Sequence, residues 1–424
     1  MGLLIKNGYL IDPATNKEGV FDILIEKGKV CRIAKNIRTK GTLIDAKGML
    51  VFPGLIDMHC HLREPGGEDK ETILSGSLSA VSGGFTTICC MPNTNPPIDN
   101  KVTVRFVINR GEESECEVLP IGAITKGREG KDLAPYGEMV EEGAVAFSDD
   151  GDCVMDSLVM RRALEYTKLY NKPVISHSED KNLLKNGVMN EGVVSAKMGL
   201  VGIPSEAEII MAYRDISLAR RTGGRLHLAH LSTAESVEMV RAAKKQMDNL
   251  TCEVTIHHLC LTEDDVKDYN PNCKVSPPLR TGRDVAALIK GLKEGVIDCI
   301  VTDHAPHTEE RKRSGFENAP FGMIGFETAI SLAMELRNEG LSLMGILSCF
   351  TVGPARVLGI DRGCIKEGKY ADMVIFDPER EWVYRREDIR SKSVNSPFIG
   401  REMTGRVIKT IRRGKVVFDL NLKG

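Results

Sequence analysis

The chain opens with short stretches in which apolar and polar residues alternate, the two-residue period of half-buried strands. "LLIKNGYLID", "GVFDILIEKGKVCRIAK" and "GTLIDAKGMLVFPG" are broken by Asn-Gly, Lys-Gly and Lys-Gly-Met, which predicts hairpins. The far end repeats the style in "GCIKEGKYADMVIFD", "EWVYRR" and "GRVIKTIRRGKVVFD". Joining the two ends gives one small β-sandwich, from residues 1–50 and 359–424. The remainder, 51–358, reads differently. Apolar runs of strand length occur at "FPGLIDMHCHL", "FTTICCMPN", "EVLPIGAIT", "GAVAFSDD", "KPVISHSED", "RLHLAHLS", "LTCEVTIHHLCL" and "DCIVTDHAPH". Helical periodicity lies between several of them, most clearly in "MDSLVMRRALEYTKLYN" and in "TAESVEMVRAAKKQM", which opens on a Ser-Thr cap. Strands alternating with helices in this way predict an α/β fold, a (β/α)8 TIM barrel. A doubly wound open sheet would need a glycine-rich nucleotide turn, and none is present.

The strand ends carry the chemistry. The first bears His59, His61 and Arg63, and alternation along a strand puts all three on one face. The second ends in Asn93, the fourth in Asp149-Asp150, the fifth in His177, the sixth in His230, and the eighth in Asp303, His304 and His307. In a barrel these positions converge on the C-terminal face, where such folds keep their sites. Of 9 histidines, six fall at these ends. His227 and the pair His257-His258 are read as structural or as supporting the ligands from behind. Neighbours on a strand face opposite ways, so at most one of that pair can face the barrel interior. Four histidines and two aspartates exceed the needs of one zinc ion. They suit two metals sharing a bridging group, and hydrolysis or condensation at an amide-like carbon.

Composition narrows the function further. Net charge is −2 and aromatics are 5%, which argues against a nucleic-acid surface or an anionic membrane. No apolar run is long enough to span a bilayer and no secretory leader is visible, so a cytoplasmic enzyme is expected. The 12 cysteines include no C-x-x-C pair and read as buried thiols in a reducing compartment.

Taken together, "PGLIDMHCHLREPG", "MPNTNPP", "FSDDGD", "VISHSED", "LHLAHLST", "SPPLR" and "TDHAPH" resemble dihydroorotase of the long, class I type, in the amidohydrolase superfamily. The likeness runs over nearly the whole chain. D-x-H-x-H alone marks only the superfamily; "HLREPG" with "MPNT" and "FSDDG" is far more specific. The resemblance implies reversible cyclisation of N-carbamoyl-L-aspartate to (S)-dihydroorotate and water in de novo pyrimidine biosynthesis. It implies two Zn2+ per subunit with a hydroxide between them. His59 and His61 would bind one ion, His177 and His230 the other, with Asp150 bridging both. Asp303 would complete the first site and act as catalytic proton shuttle, while Asp149 would support the ligands from behind or be structural. Arg63, Asn93 and His307 would hold the substrate carboxylate, with His61 beside it. In "APFG", backbone groups of Phe321 and Gly322 would meet the substrate ring. Ser276 stands where family members often carry Asn, so its contact is made either by main chain or by side chain. Association with aspartate transcarbamoylase and a homo-oligomer are further implications.

Two rivals follow from the same residues. Dihydropyrimidinases, hydantoinases and allantoinases share His-x-His, but usually bridge their metals with a carboxylated lysine from the fourth strand. Here that strand reads "AFSDDGD", and an arginine stands at the substrate position. A metal-free scaffold for the transcarbamoylase would have lost ligand histidines, and this chain keeps them. The charged segment Thr308–Gly322 is expected to form a loop over the mouth, looser without ligand.

Overall fold

The computed structural model describes residues 2–422. Five strands open the chain: β1 (Leu3–Asp12), β2 (Lys17–Glu26), β3 (Lys29–Ala34), β4 (Thr42–Asp45) and β5 (Leu50–Pro53). Barrel strands follow: β6 (Leu55–Cys60), β7 (Phe85–Cys90), β8 (Glu117–Gly122), β9 (Ala146–Ser148) and β10 (Val174–Ser176). After a small parallel pair, β11 (Met189–Asn190) and β12 (Gly202–Ile203), the barrel resumes with β13 (Leu226–Leu228), β14 (Leu250–Thr255) and β15 (Cys299–Val301). Two long strands and a short one end the chain: β16 (Met373–Val383), β17 (Glu402–Arg412) and β18 (Lys415–Asp419).

The two ends of the chain do build one β unit. Its strands hydrogen-bond along a continuous path, β18-β17-β16-β5-β1-β2-β3, with β4 on β1. Lys27-Gly28 and Arg413-Gly414 make tight hairpin turns, all four residues with positive φ as such turns require. Asn7-Gly8, expected to be a turn, lies inside β1 as a bulge instead. Asn7 takes φ 60°, its N–H donates to Asp22 Oδ1 at 2.9 Å, and its side-chain amide donates to Asp45 Oδ1 at 2.9 Å. A Cβ on Gly8 would lie 2.5 Å from Val51 Cγ2, so tertiary packing selects the glycine. β5 pairs with β1 and β16, not with the barrel. We therefore propose the boundary between the two units at Gly54, three residues beyond the expected 51. The other expected limit, Leu358, ends the helix Val352–Leu358.

All eight expected barrel strands are present, parallel, in the order β15-β14-β13-β10-β9-β8-β7-β6. The barrel closes through a Cys60–His304 bridge, where His61 N–H donates to His304 C=O at 2.8 Å. Asp57 reinforces that seam by accepting from Thr302 Oγ1 at 2.5 Å and Thr302 N–H at 3.2 Å. Met58, Cys89, Ile121, Ile175, Cys299 and Val301, drawn from strands all around the ring, form one buried cluster that fills the interior. The larger cluster packs helices on the outside of the strands. The helix Ser157–Thr167 is capped by Asp156, and Ala234–Lys244 by Thr233, whose side chain accepts from Ser236 N–H.

One expected strand is cut short. β14 stops at Thr255, and His257 and His258 sit on a helical turn, Ile256–Cys260, whose cap is the Thr255 side chain. The strand-alternation argument therefore does not apply to that pair. Among the described residues the cysteines are free thiols, and only Cys31 is exposed.

Candidate metal centre

Because the barrel strands are parallel, their C-terminal ends share one rim. Several of those strands break off abruptly there. Arg63, His230 and Asp303 have φ of 61°, 31° and 46°, left-handed values that cost a residue with a side chain on the order of 1–2 kcal/mol. For Arg63 this corrects the strand argument. β6 has already ended at Cys60, and the left-handed turn, not strand alternation, aims the side chain.

Asp150 is the hub. Its Oδ1 lies 3.3 Å from His59 Nε2, 3.3 Å from His177 Nδ1 and 3.5 Å from His230 Nε2, and its Oδ2 lies 3.5 Å from His61 Nε2. Asp303 Oδ1 is 3.0 Å from His61 Nε2 and 3.7 Å from His59 Nε2. His177 Nδ1 and His230 Nε2 are 2.8 Å apart. These atoms form two triads sharing one carboxylate: His59, His61, Asp150 and Asp150, His177, His230. Ligands at about 2.0–2.1 Å around a tetrahedral ion stand roughly 3.4 Å from one another, the spacing found here. His59 Nε2 and Asp150 Oδ1 are buried and make no hydrogen bond among the described residues. Orphaned polar atoms at the focus of six ligand-type side chains fit a metal pair.

The outer nitrogens of His59, His61 and His177 are also held. His59 Nδ1 meets Glu253 Oε1 at 2.6 Å, and the other oxygen of Glu253 meets His227 Nε2 at 3.0 Å. Burial alone would raise the Glu253 carboxyl; its contacts with His59 and His227 outweigh it and hold it at about 2. His61 Nδ1 donates to Asn93 Oδ1 at 2.8 Å, and His177 Nε2 to Glu179 Oε2 at 3.2 Å. Each contact fixes the tautomer that leaves the inner nitrogen free for a metal. Sequence reasoning missed Glu253 and Glu179. Glu253 alone carried a signal, a charged residue inside the apolar run "LTCEVTI". Asp149 faces away from the cluster's histidines and accepts from Ile124 N–H, Thr125 N–H and Thr125 Oγ1. His304 lies off the site, stacked on Phe326 and facing Glu71. His257 is buried nearby, and burial pushes its pKa down to about 4.

The residues expected around substrate divide between the two triads: Asn93 meets His61, Ser276 lies against Glu179 beside His177, and Arg63 and His307 adjoin each other. Arg63 Nε donates to Pro306 C=O at 3.2 Å, and its Nη2 lies 3.3 Å from His307 Nε2. Burial lowers the guanidinium only to about 10, so it stays charged at neutral pH. Among the described residues it pairs with no carboxylate. His307 is driven down to about 2 by burial and by the charge of Arg63, and its Nε2 sits 2.8 Å from Phe321 C=O. Ser276 Oγ donates to Glu179 Oε2 at 2.8 Å, so its side chain is committed to the metal-side framework. Gly322 N–H, expected on the substrate ring, donates to Lys274 C=O at 2.8 Å. Phe321 C=O keeps a second lone pair beyond His307. Segment 308–322 is not a bare loop; it holds a helical turn, Glu309–Lys312.

Residues 50–417 match the amidohydrolase family. The chain is 49% identical over 419 residues to a dihydroorotase of Aquifex aeolicus (strain VF5), covering 98% of this chain and 99% of that one. The chain belongs to the amidohydrolase family, among its dihydroorotases. A second dihydroorotase, from Endomicrobium trichonymphae, is 49% identical over 424 residues, 99% of this chain and 100% of that one. Among solved structures, the L-hydantoinase (dihydropyrimidinase) of Arthrobacter aurescens superposes with a TM-score of 0.89 at 25% identity, covering 98% of this chain and 96% of that one. The amidohydrolase barrel is thus shared with hydantoinases, while the sequence sides with dihydroorotases.

Proposed function

We propose that this amidohydrolase interconverts N-carbamoyl-L-aspartate and (S)-dihydroorotate at the cluster around Asp150. The observation that carries the reading is Arg63. It is a half-buried guanidinium beside the metal-type cluster, without a carboxylate of its own among the described residues. A guanidinium so placed calls for an anionic ligand and pairs a carboxylate through two parallel hydrogen bonds. Uncharged rings such as dihydrouracil and allantoin leave it without a partner. The fourth strand supports the same choice, since Asp150, not a lysine, stands at its end.

His59, His61, Asp150 and Asp303 would hold one divalent ion, and Asp150, His177 and His230 the other. Imidazole and carboxylate ligands suit zinc, and two zinc ions per chain belong to this proposal. Bound there, the metals supply positive charge that polarises the amide carbonyl and acidifies water at neutral pH. Arg63 orients the ring by its carboxylate, braced by His307 and Phe321 behind it, and Asn93, whose oxygen is taken by His61, offers only its amide N–H groups. Asp303 is the base: burial would raise its carboxyl, but its contacts with the histidines, the bond from His61 foremost, hold it low, hence ionised. In ring opening the water oxygen bonds to the ring amide carbon, the carbon–nitrogen bond breaks, and Asp303 carries the water proton to the leaving nitrogen. Ring closure reverses each step and releases water. A homo-oligomer belongs to the same proposal. Its support is the exposed apolar side chains Leu158 and Tyr166 on one helix and Ile210 and Tyr213 on the helix packed beside it.

An ultraviolet absorbance assay with dihydroorotate, dihydrouracil and allantoin tests the substrate. Turnover confined to dihydroorotate is expected; preference for either uncharged ring would overturn the reading. Metal analysis of the purified protein counts the ions.

A further inference from the structure

Two lysines near the mouth are more deeply buried than this residue type ordinarily tolerates. Lys274 and Lys312 are each 3% exposed. Neither ammonium forms an ion pair among the described residues. Lys274 Nζ donates to Phe316 C=O at 2.9 Å and Glu317 C=O at 2.8 Å, and it stands 4.6 Å from the centre of the Phe321 ring. Lys312 Nζ donates to Pro271 C=O at 2.7 Å and Pro320 C=O at 2.9 Å. Between them the two side chains tie segment 308–322 to the backbone at 271–274. The tied stretch ends at Phe321, whose C=O meets His307, and His307 in turn meets Arg63. The positive charge of Lys312 also reaches His307, where it helps keep the imidazole neutral.

Ammonium groups normally stay in water or face a carboxylate. Here the acceptors are neutral carbonyls, so two positive charges stand uncompensated beside the place where an anion is expected. Burial lowers Lys274 to about 8, and burial with the charge of Lys274 lowers Lys312 to about 7.

We propose that Lys274 and Lys312 are positioning residues that set substrate charge specificity: they hold Phe321 and His307 in place and bias that side of the site toward anionic ligands. The inference rests on the substrate reading above. A simply structural lysine would stabilise the segment without distinguishing ligands by charge. These two lower the energy of an anion close by, and fix the edge it docks against.

The test compares the metal-loaded parent with Lys312→Met and Lys274→Met at pH 6.5, below the lowered pKa of each lysine. Lys312→Gln retains amide donors without the charge and guards against a methionine variant that does not fold. Cyclisation of N-carbamoyl-L-aspartate should show KM raised roughly tenfold, the size of one lost charge-assisted contact, with kcat within about threefold of the parent. Binding of orotate, an anionic ring that does not react, should weaken by a similar factor. Competition by uracil, the same ring without the carboxylate, should stay at the parent's level. Unchanged KM and orotate affinity in the folded variants overturns the proposal, as does equal weakening toward orotate and uracil. A parent that fails to turn over N-carbamoyl-L-aspartate overturns the substrate reading instead.

Discussion

Glu253→Gln is the sharpest probe of how the metal ligands are held. Both carboxylate oxygens are fully buried, and each accepts from an imidazole: His59 Nδ1 at 2.6 Å and His227 Nε2 at 3.0 Å. Glutamine has the same shape but offers one acceptor and one NH2. One of the two imidazoles must then face a donor. If it is His59, the ring either loses its partner or shifts its proton to Nε2, the atom aimed at Asp150, and can no longer serve a metal through it. A hydrogen bond to a charged group is worth about 1.5–3 kcal/mol. That corresponds to roughly 10–150-fold in an equilibrium constant, which brackets the 10–100-fold or so typical of losing an outer partner of a metal ligand. The variant is expected to bind the metal at the His59–His61 side more weakly by that factor, and to hold the His177–His230 side nearly as before. Competition against a chromophoric chelator reads both affinities, with circular dichroism confirming the fold. Glu253→Ala removes both acceptors; if it and Glu253→Gln both retain the two ions as tightly as the parent, with unchanged melting temperature, Glu253 is not the group that orients His59.

Arg63→Met should lower kcat/KM for dihydroorotate by about 2–5 kcal/mol in transition-state terms, the scale of breaking a desolvated charged pair; steady-state kinetics equal to the parent's would remove Arg63 from the carboxylate site. Asp303→Asn should keep the fold and lose activity by roughly 10²–10⁴-fold, the size of general acid–base help; activity within a few-fold of the parent would count against the proton shuttle. His307 is held neutral, its pKa lowered from the usual 6.5 to about 2. Between those values the unfolded state binds the proton that the folded state refuses, so stability falls as pH drops below the unfolded pKa, by about 1.4 kcal/mol per pH unit from this group. Melting temperatures of metal-stripped parent and His307→Gln, followed from pH 6.5 to 4.5, should therefore diverge, the parent losing more. Adding bicarbonate during metal reconstitution should not raise activity, because Asp150 stands where a carboxylated lysine would be; a bicarbonate-dependent gain would contradict that.

Much of this molecule is legible one residue at a time. The two-residue and 3.6-residue periods belong to single segments, so the eight barrel strands and the helices at Ser157–Thr167 and Ala234–Lys244 could be read directly. Parallel strands also put their C-terminal ends on one rim, so His59, His61, Asp150, His177, His230 and Asp303 converge by topology alone. The failures share a cause: each depends on a partner distant in sequence. Glu253 is an isolated charge in an apolar run until the barrel places it against His59, 194 positions away. Asn7-Gly8 has the composition of a hairpin turn, but Asp22, Asp45 and Val51 close around it and make it a bulge. Leu50–Pro53 is as apolar as a barrel strand, and only pairing with β1 and β16 assigns it to the other sheet. The lysines at 274 and 312 resemble any surface lysine in sequence, and it takes the tertiary fold to bury them against carbonyl oxygens. Periodicity and strand direction are local and survive in the string of residues. Which buried polar group meets which is a product of packing, and that the tertiary structure alone decided.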